Sequence, residues 1–104
     1  MSAILILSTA PTRAEAERIA EALVAEKLAA CVQLSAIDSI YRWEDAIERA
    51  AETRLAIKTR AELASSVEAR ITALHSYEIP EIVVLPISGG SSAYLDWIVA
   101  ETDG

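Results

Sequence analysis

Near its start the chain has a short, mostly apolar run at residues 3 to 8, the pattern of a buried strand. Thr9-Ala10-Pro11 breaks it, and Thr12 followed by Glu15 has the spacing of a helix capping box. A helix is predicted from there to Lys27 or Leu28, with Ala16, Ile19, Ala20, Leu23 and Lys27 on one face. From Cys31 the period drops to two. Val32, Leu34 and Ala36 alternate with Cys31, Gln33 and Ser35, the mark of a half-buried strand. Ile37-Asp38 interrupts the alternation and is read as a bulge. Beyond it Ser39, Tyr41 and Trp43 share one side, and Ile40 and Arg42 the other. Glu44-Asp45 turns the chain back into a strand that holds Leu55 and Ile57, so residues 32 to 58 form one long hairpin.

Thr59 and Glu62 repeat the capping-box spacing, and Leu63, Val67, Ile71 and Leu74 give a second helix its apolar face. That helix is predicted to stop near Leu74 or His75, because Pro80 lies ahead. Residues 82 to 85 read as a fourth strand, which Pro86 ends or marks as an edge. Gly89-Gly90 is a turn, and Ser91 or Ser92 can cap a last short helix carrying Tyr94, Leu95, Trp97 and Ile98.

The order β-α-β-β-α-β plus a C-terminal helix is an α+β, ferredoxin-like arrangement with a long hairpin between the second and third strands. No linker divides the chain, so residues 1–104 are expected to form one domain. The hairpin is much longer than two helices of this length can cover. Its far end carries Tyr41, Trp43 and Ile47, a hazard unless a partner covers it. Oligomerisation is the expectation, with strands adding to a neighbour's sheet. Trp97 is a further candidate interface anchor.

Composition narrows the function. Nine basic and 16 acidic residues give a formal charge of −7, which disfavours nucleic acid and anionic membranes as partners. Cys31 is the only cysteine, so no intrachain disulfide supports the fold. The N-terminus lacks the basic start of a signal peptide. No apolar run reaches the roughly 18 to 20 residues of a membrane span. A soluble cytoplasmic protein is the expectation. Walker-type and Rossmann-type glycine loops and C-x-x-C are all missing from the sequence. No Ser-His-Asp or Cys-His constellation is identifiable, and the chain is read as non-enzymatic.

The stretches ACVQLSAIDSIYRWEDAIE, LAIKT, HSYEIPEIVVLPI and YLDWI resemble the CutA family of divalent-cation tolerance proteins, in that family's order and across nearly the whole chain. The resemblance implies a ferredoxin-like fold, a tight homotrimer joined through the long hairpins, and a link to copper and other divalent cations. It also implies a trimer similar to that of PII-type signalling proteins, which bind small ligands between subunits. The chain departs from the family pattern at Arg42, at Glu44, Asp45 and Ala46, and at Ser76, where the family often has tryptophan, lysines and proline respectively. Serine does not fix its own φ, so Ser76 is expected to loosen the loop after the second helix slightly.

His75, Tyr77, Glu78 and Glu81 fall within seven residues. Imidazole suits copper and zinc, and a carboxylate can complete such a site. With Cys31 as a soft thiolate donor, the candidate metal ligands are Cys31, His75 and Glu78. Lys58, Tyr77 and Glu81 are the candidates for an inter-subunit pocket. Each has a plainer reading. His75 can cap the second helix, Tyr77 can bond to backbone, Cys31 can be a small buried hydrophobe and Lys58 a surface ion-pair partner. Two functions stand foremost: a copper or divalent-cation tolerance trimer that needs no cofactor, and a PII-like signalling or scaffold trimer that takes a small molecule or partner protein; an enzyme with His75 as general base is the third.

Overall fold

A computed structural model describes residues 2–103. Its elements are β1 (Ala3–Ala10), α1 (Arg13–Ala25), β2 (Cys31–Trp43), β3 (Ala46–Arg60), α2 (Ala64–Leu74), β4 (Val83–Pro86) and α3 (Ser92–Glu101). The four strands form one antiparallel sheet in the order β2-β3-β1-β4, the ferredoxin-like arrangement.

Local chemistry sets the boundaries. Thr12 caps α1, its Oγ1 accepting the Glu15 N–H at 3.2 Å. The helix ends at Ala25, two residues short of Lys27, because Lys27 turns left-handed at φ 58°. Lys27 N–H then donates to Val24 O at 3.1 Å and Leu28 N–H to Leu23 O at 2.9 Å, the paired bonds of a Schellman ending. The second capping box does not form. Thr59 is still part of β3, fully buried, and its Oγ1 donates to Leu28 O at 2.7 Å. A single 3-10 turn at Ala61–Leu63 leads into α2, whose N-cap Leu63 has no side-chain cap. Ser91 caps α3, accepting the Tyr94 N–H at 3.3 Å.

Helices α1 and α2 pack on one face of the sheet. Ile4, Ile6, Leu55 and Ile57 meet Ile19, Leu23, Val67 and Ile71 in the core. Helix α3 lies against the other face, where Lys58 donates to the Tyr94 hydroxyl at 3.2 Å. β4 is an edge strand, in keeping with Pro86 at its end.

The hairpin register runs unbroken from Trp43 opposite Ala46 to Cys31 opposite Lys58, so residues 37 and 38 form no bulge. The alternation fails there for another reason. The last pairing with β1 is Ala10 opposite Thr53, so residues 37–43 and 46–52 project past the sheet, paired only with each other. Neither face of this arm has a core to turn toward, and the inside-outside pattern lapses. The arm stretches the molecule to 44 × 25 × 21 Å. Ile40 is 62% exposed and Ile47 69%, with Tyr41 and Trp43 also open.

Candidate functional site

Residues 75–82 cross from the end of α2 to β4, past the C-terminal end of β1. His75 closes α2, donating its N–H to Ile71 O at 2.9 Å, and its extended backbone carries the chain away. Its side chain is fully buried. Nε2 sits 2.6 Å from Thr9 O, and Nδ1 accepts the Tyr77 N–H at 2.9 Å. A carbonyl can only accept and an amide N–H can only donate, so this pairing requires the tautomer protonated on Nε2. Both ring nitrogens are thereby committed.

Glu15, in the first turn of α1, ties down the same loop. Its Oε2 accepts the Ser76 N–H at 3.0 Å and the Ser76 hydroxyl at 2.9 Å. Burial alone pushes this carboxyl's pKa up. The two Ser76 bonds, with His75 and Arg18 nearby, outweigh burial and hold the pKa below its usual 4.5. Ser76 therefore anchors the loop and does not loosen it. A proline there would have neither donor.

Tyr77 is half-buried and its hydroxyl donates to Glu52 Oε2 of β3 at 3.1 Å. Burial, then the Glu52 hydrogen bond and charge, push its phenol up to about 12. This contact lies in the wall of a cavity of about 670 Å³ between the crossing loop and one face of the hairpin arm. Tyr41, Trp43 and Tyr77 supply aromatic walls, Ile79 adds apolar surface, and Glu52, Glu78 and Glu81 bring carboxylates. Hairpin register explains the placing. Directly opposed residues share a face, so Tyr41 (opposite Glu48), Trp43 (opposite Ala46) and Glu52 (opposite Ile37) all present the same side. Ile47 pairs with Arg42 on the reverse side.

The predicted residues thus separate. Tyr41, Trp43, Tyr77, Glu78 and Glu81 come together at the cavity. His75 lies behind its wall, and the proposed ligand set Cys31, His75 and Glu78 does not converge. Cys31 is half-buried at the opposite end of β2; it lies eight positions before Ser39 of the cavity, roughly 26 Å of strand. Among the described residues, no three His, Cys, Asp or Glu side chains are grouped to hold a metal ion within one chain. Lys58 is not among the residues lining the cavity with Glu78 and Glu81; it lies over the Tyr94 ring at 5.1 Å from the centroid. Trp97 stacks on Tyr94, with ring centroids 5.5 Å apart, and is 42% exposed on α3. Glu52 and Glu15 were missed. Counting outward from the Glu44-Asp45 turn places Glu52 on the Tyr41 face, whereas nothing local to Glu15 points to Ser76, 61 residues away.

A profile of the CutA1 divalent ion tolerance protein family matches residues 4–101. The chain belongs to the CutA1 family. It is 46% identical over 93 residues to the divalent-cation tolerance protein CutA of Archaeoglobus fulgidus, covering 89% of this chain and 91% of that one. It is 40% identical over 100 residues to the chloroplastic protein CutA of Arabidopsis thaliana, covering 95% of this chain but 55% of that protein. The chain therefore spans about half the length of its plant CutA relatives, 55% and 56%. Among solved structures, the periplasmic divalent cation tolerance protein CutA of Archaeoglobus fulgidus superposes with a TM-score of 0.95 at 42% identity, covering 97% of this chain and 99% of that one. No helix among the described residues is long and apolar enough to cross a membrane.

Proposed function

We propose that this CutA1 chain acts as a homotrimeric, non-enzymatic divalent-cation-binding protein in the cytoplasm, with copper among its ions, and that it needs no resident cofactor. One observation carries the reading: the cavity beside the arm holds three carboxylates, and no lysine, arginine or histidine is among its lining residues. Such a site favours cations over every anionic ligand class. Glu78 and Glu81 are its exposed oxygen donors, and hard or borderline divalent ions accept oxygen. Cys31 is a free thiol remote from the cavity, so a soft-metal role for it would require a neighbouring subunit's donors.

The uncovered arm supports assembly with neighbouring subunits. Ile40 and Ile47 stand on its reverse face, away from Tyr41 and Trp43, and their exposure is what a neighbouring subunit would relieve. Light scattering across a concentration series is the test. A mass of three chains that falls in Ile47→Asp supports the assembly. A monomer at every concentration refutes it. Equilibrium dialysis against Cu²⁺ and Zn²⁺ on the same samples tests the cation reading.

A further inference from the structure

A bare metal ion accounts for little of this cavity. At about 670 Å³ it has the volume of a small-molecule site, and its walls are aromatic. Three of the chain's five aromatic side chains, Tyr41, Trp43 and Tyr77, face it together. We propose that the cavity binds an organic cation, an ammonium or guanidinium group carried on an apolar body. The inference rests on reading the cavity as a cation site and names the kind of cation.

Charge, surface and geometry agree on this class. Glu52, Glu78 and Glu81 supply negative charge and hydrogen-bond acceptors, which match the N–H donors of an ammonium or guanidinium. The aromatic faces attract a cation through their quadrupoles and also accept the apolar body. Ile79 extends that apolar wall. An anion meets three carboxylates here, and a neutral polar molecule forgoes the electrostatic attraction. The walls are also held in place. Tyr41 and Trp43 are set by hairpin register, and Tyr77 by its hydroxyl bond to Glu52 and its N–H bond to His75. Preorganised walls of this kind reduce the ordering cost of binding.

The test uses the full chain after removal of metal, with phenethylammonium as probe and 2-phenylethanol as its neutral counterpart. Calorimetry reads both on the wild type. Trp43 fluorescence reads them in a Trp97→Phe variant, because Trp97 lies outside the cavity. The expected result is saturable phenethylammonium binding, about tenfold or more tighter than 2-phenylethanol, with quenching or shift of Trp43 emission. Glu78→Gln/Glu81→Gln, both exposed positions, should erase most of that preference while leaving the circular dichroism unchanged. Trp43→Ala should weaken both probes. Equal affinity for the two probes, a preference that survives the double variant, or no saturable binding would overturn the proposal. A copper titration of the same sample separates the two readings. Copper binding without phenethylammonium binding sinks the organic cation alone, and the converse sinks the metal alone.

Discussion

Both donors of Ser76 end on one oxygen of Glu15, the backbone N–H at 3.0 Å and the hydroxyl at 2.9 Å. This pair fastens the crossing loop to the first turn of α1, and through it fixes the wall of the cavity. Glu15→Ala removes the charged acceptor of two part-buried hydrogen bonds and should cost about 1–3 kcal/mol, measured by urea unfolding. The carboxyl's pKa is lowered in the folded state, so its contribution is present above the ordinary value of 4.5 and is lost as pH falls below that through the folded value. Wild-type stability should therefore drop with acid in that range more steeply than that of Glu15→Gln.

Tyr77 gives the opposite sign at the alkaline end. Its phenol is raised from 10.0 to about 12 in the folded protein. The unfolded chain loses this proton first, so stability is lost as pH rises from 10 through about 12. Ultraviolet titration should show a tyrosine ionising near 12. Tyr77→Phe should remove that late step and cost roughly 0.5–1.5 kcal/mol near neutrality through the lost bond to Glu52. A late step that persists in Tyr77→Phe would refute the assignment.

His75 is expected to be structural. His75→Ala strands the Thr9 carbonyl and the Tyr77 N–H, and should destabilise the fold by about 2 kcal/mol or more. Copper affinity measured on the folded fraction should stay unchanged. A loss of copper binding from a correctly folded His75→Ala protein would restore the imidazole as a ligand.

How far the sequence speaks depends on how local the cause is. Strand and helix order, the Thr12 cap and the Glu44-Asp45 turn were legible, because each rests on neighbours within a few residues. Thr59 was misread because its hydroxyl is taken by Leu28 O, across the sheet edge from a distant segment. His75 looked like a metal ligand because a lone histidine among glutamates carries that chemistry; its burial against Thr9 O depends on a contact 66 residues away. The apparent bulge at Ile37-Asp38 arose from assuming that a core lay beneath the whole hairpin.

Two left-handed backbone positions offer a stability test that touches no ligand. Lys27 has φ 58° and Asp45 φ 64°, and neither is glycine. A Cβ in this region costs energy that glycine avoids, while aspartate tolerates it better than lysine. Lys27→Gly should stabilise the protein by roughly 0.5–1 kcal/mol, and Asp45→Gly by less, in thermal or urea unfolding. Destabilisation by Lys27→Gly would contradict the Schellman ending of α1.

The most direct measurement is calorimetric titration of Cu²⁺ into the metal-stripped protein beside Glu78→Gln/Glu81→Gln. The acidic cavity predicts saturable binding that weakens at least about tenfold, or about 1.4 kcal/mol, in the double variant while the assembly keeps its mass. Copper binding of equal strength in both proteins would contradict it and move the cation site elsewhere on the chain.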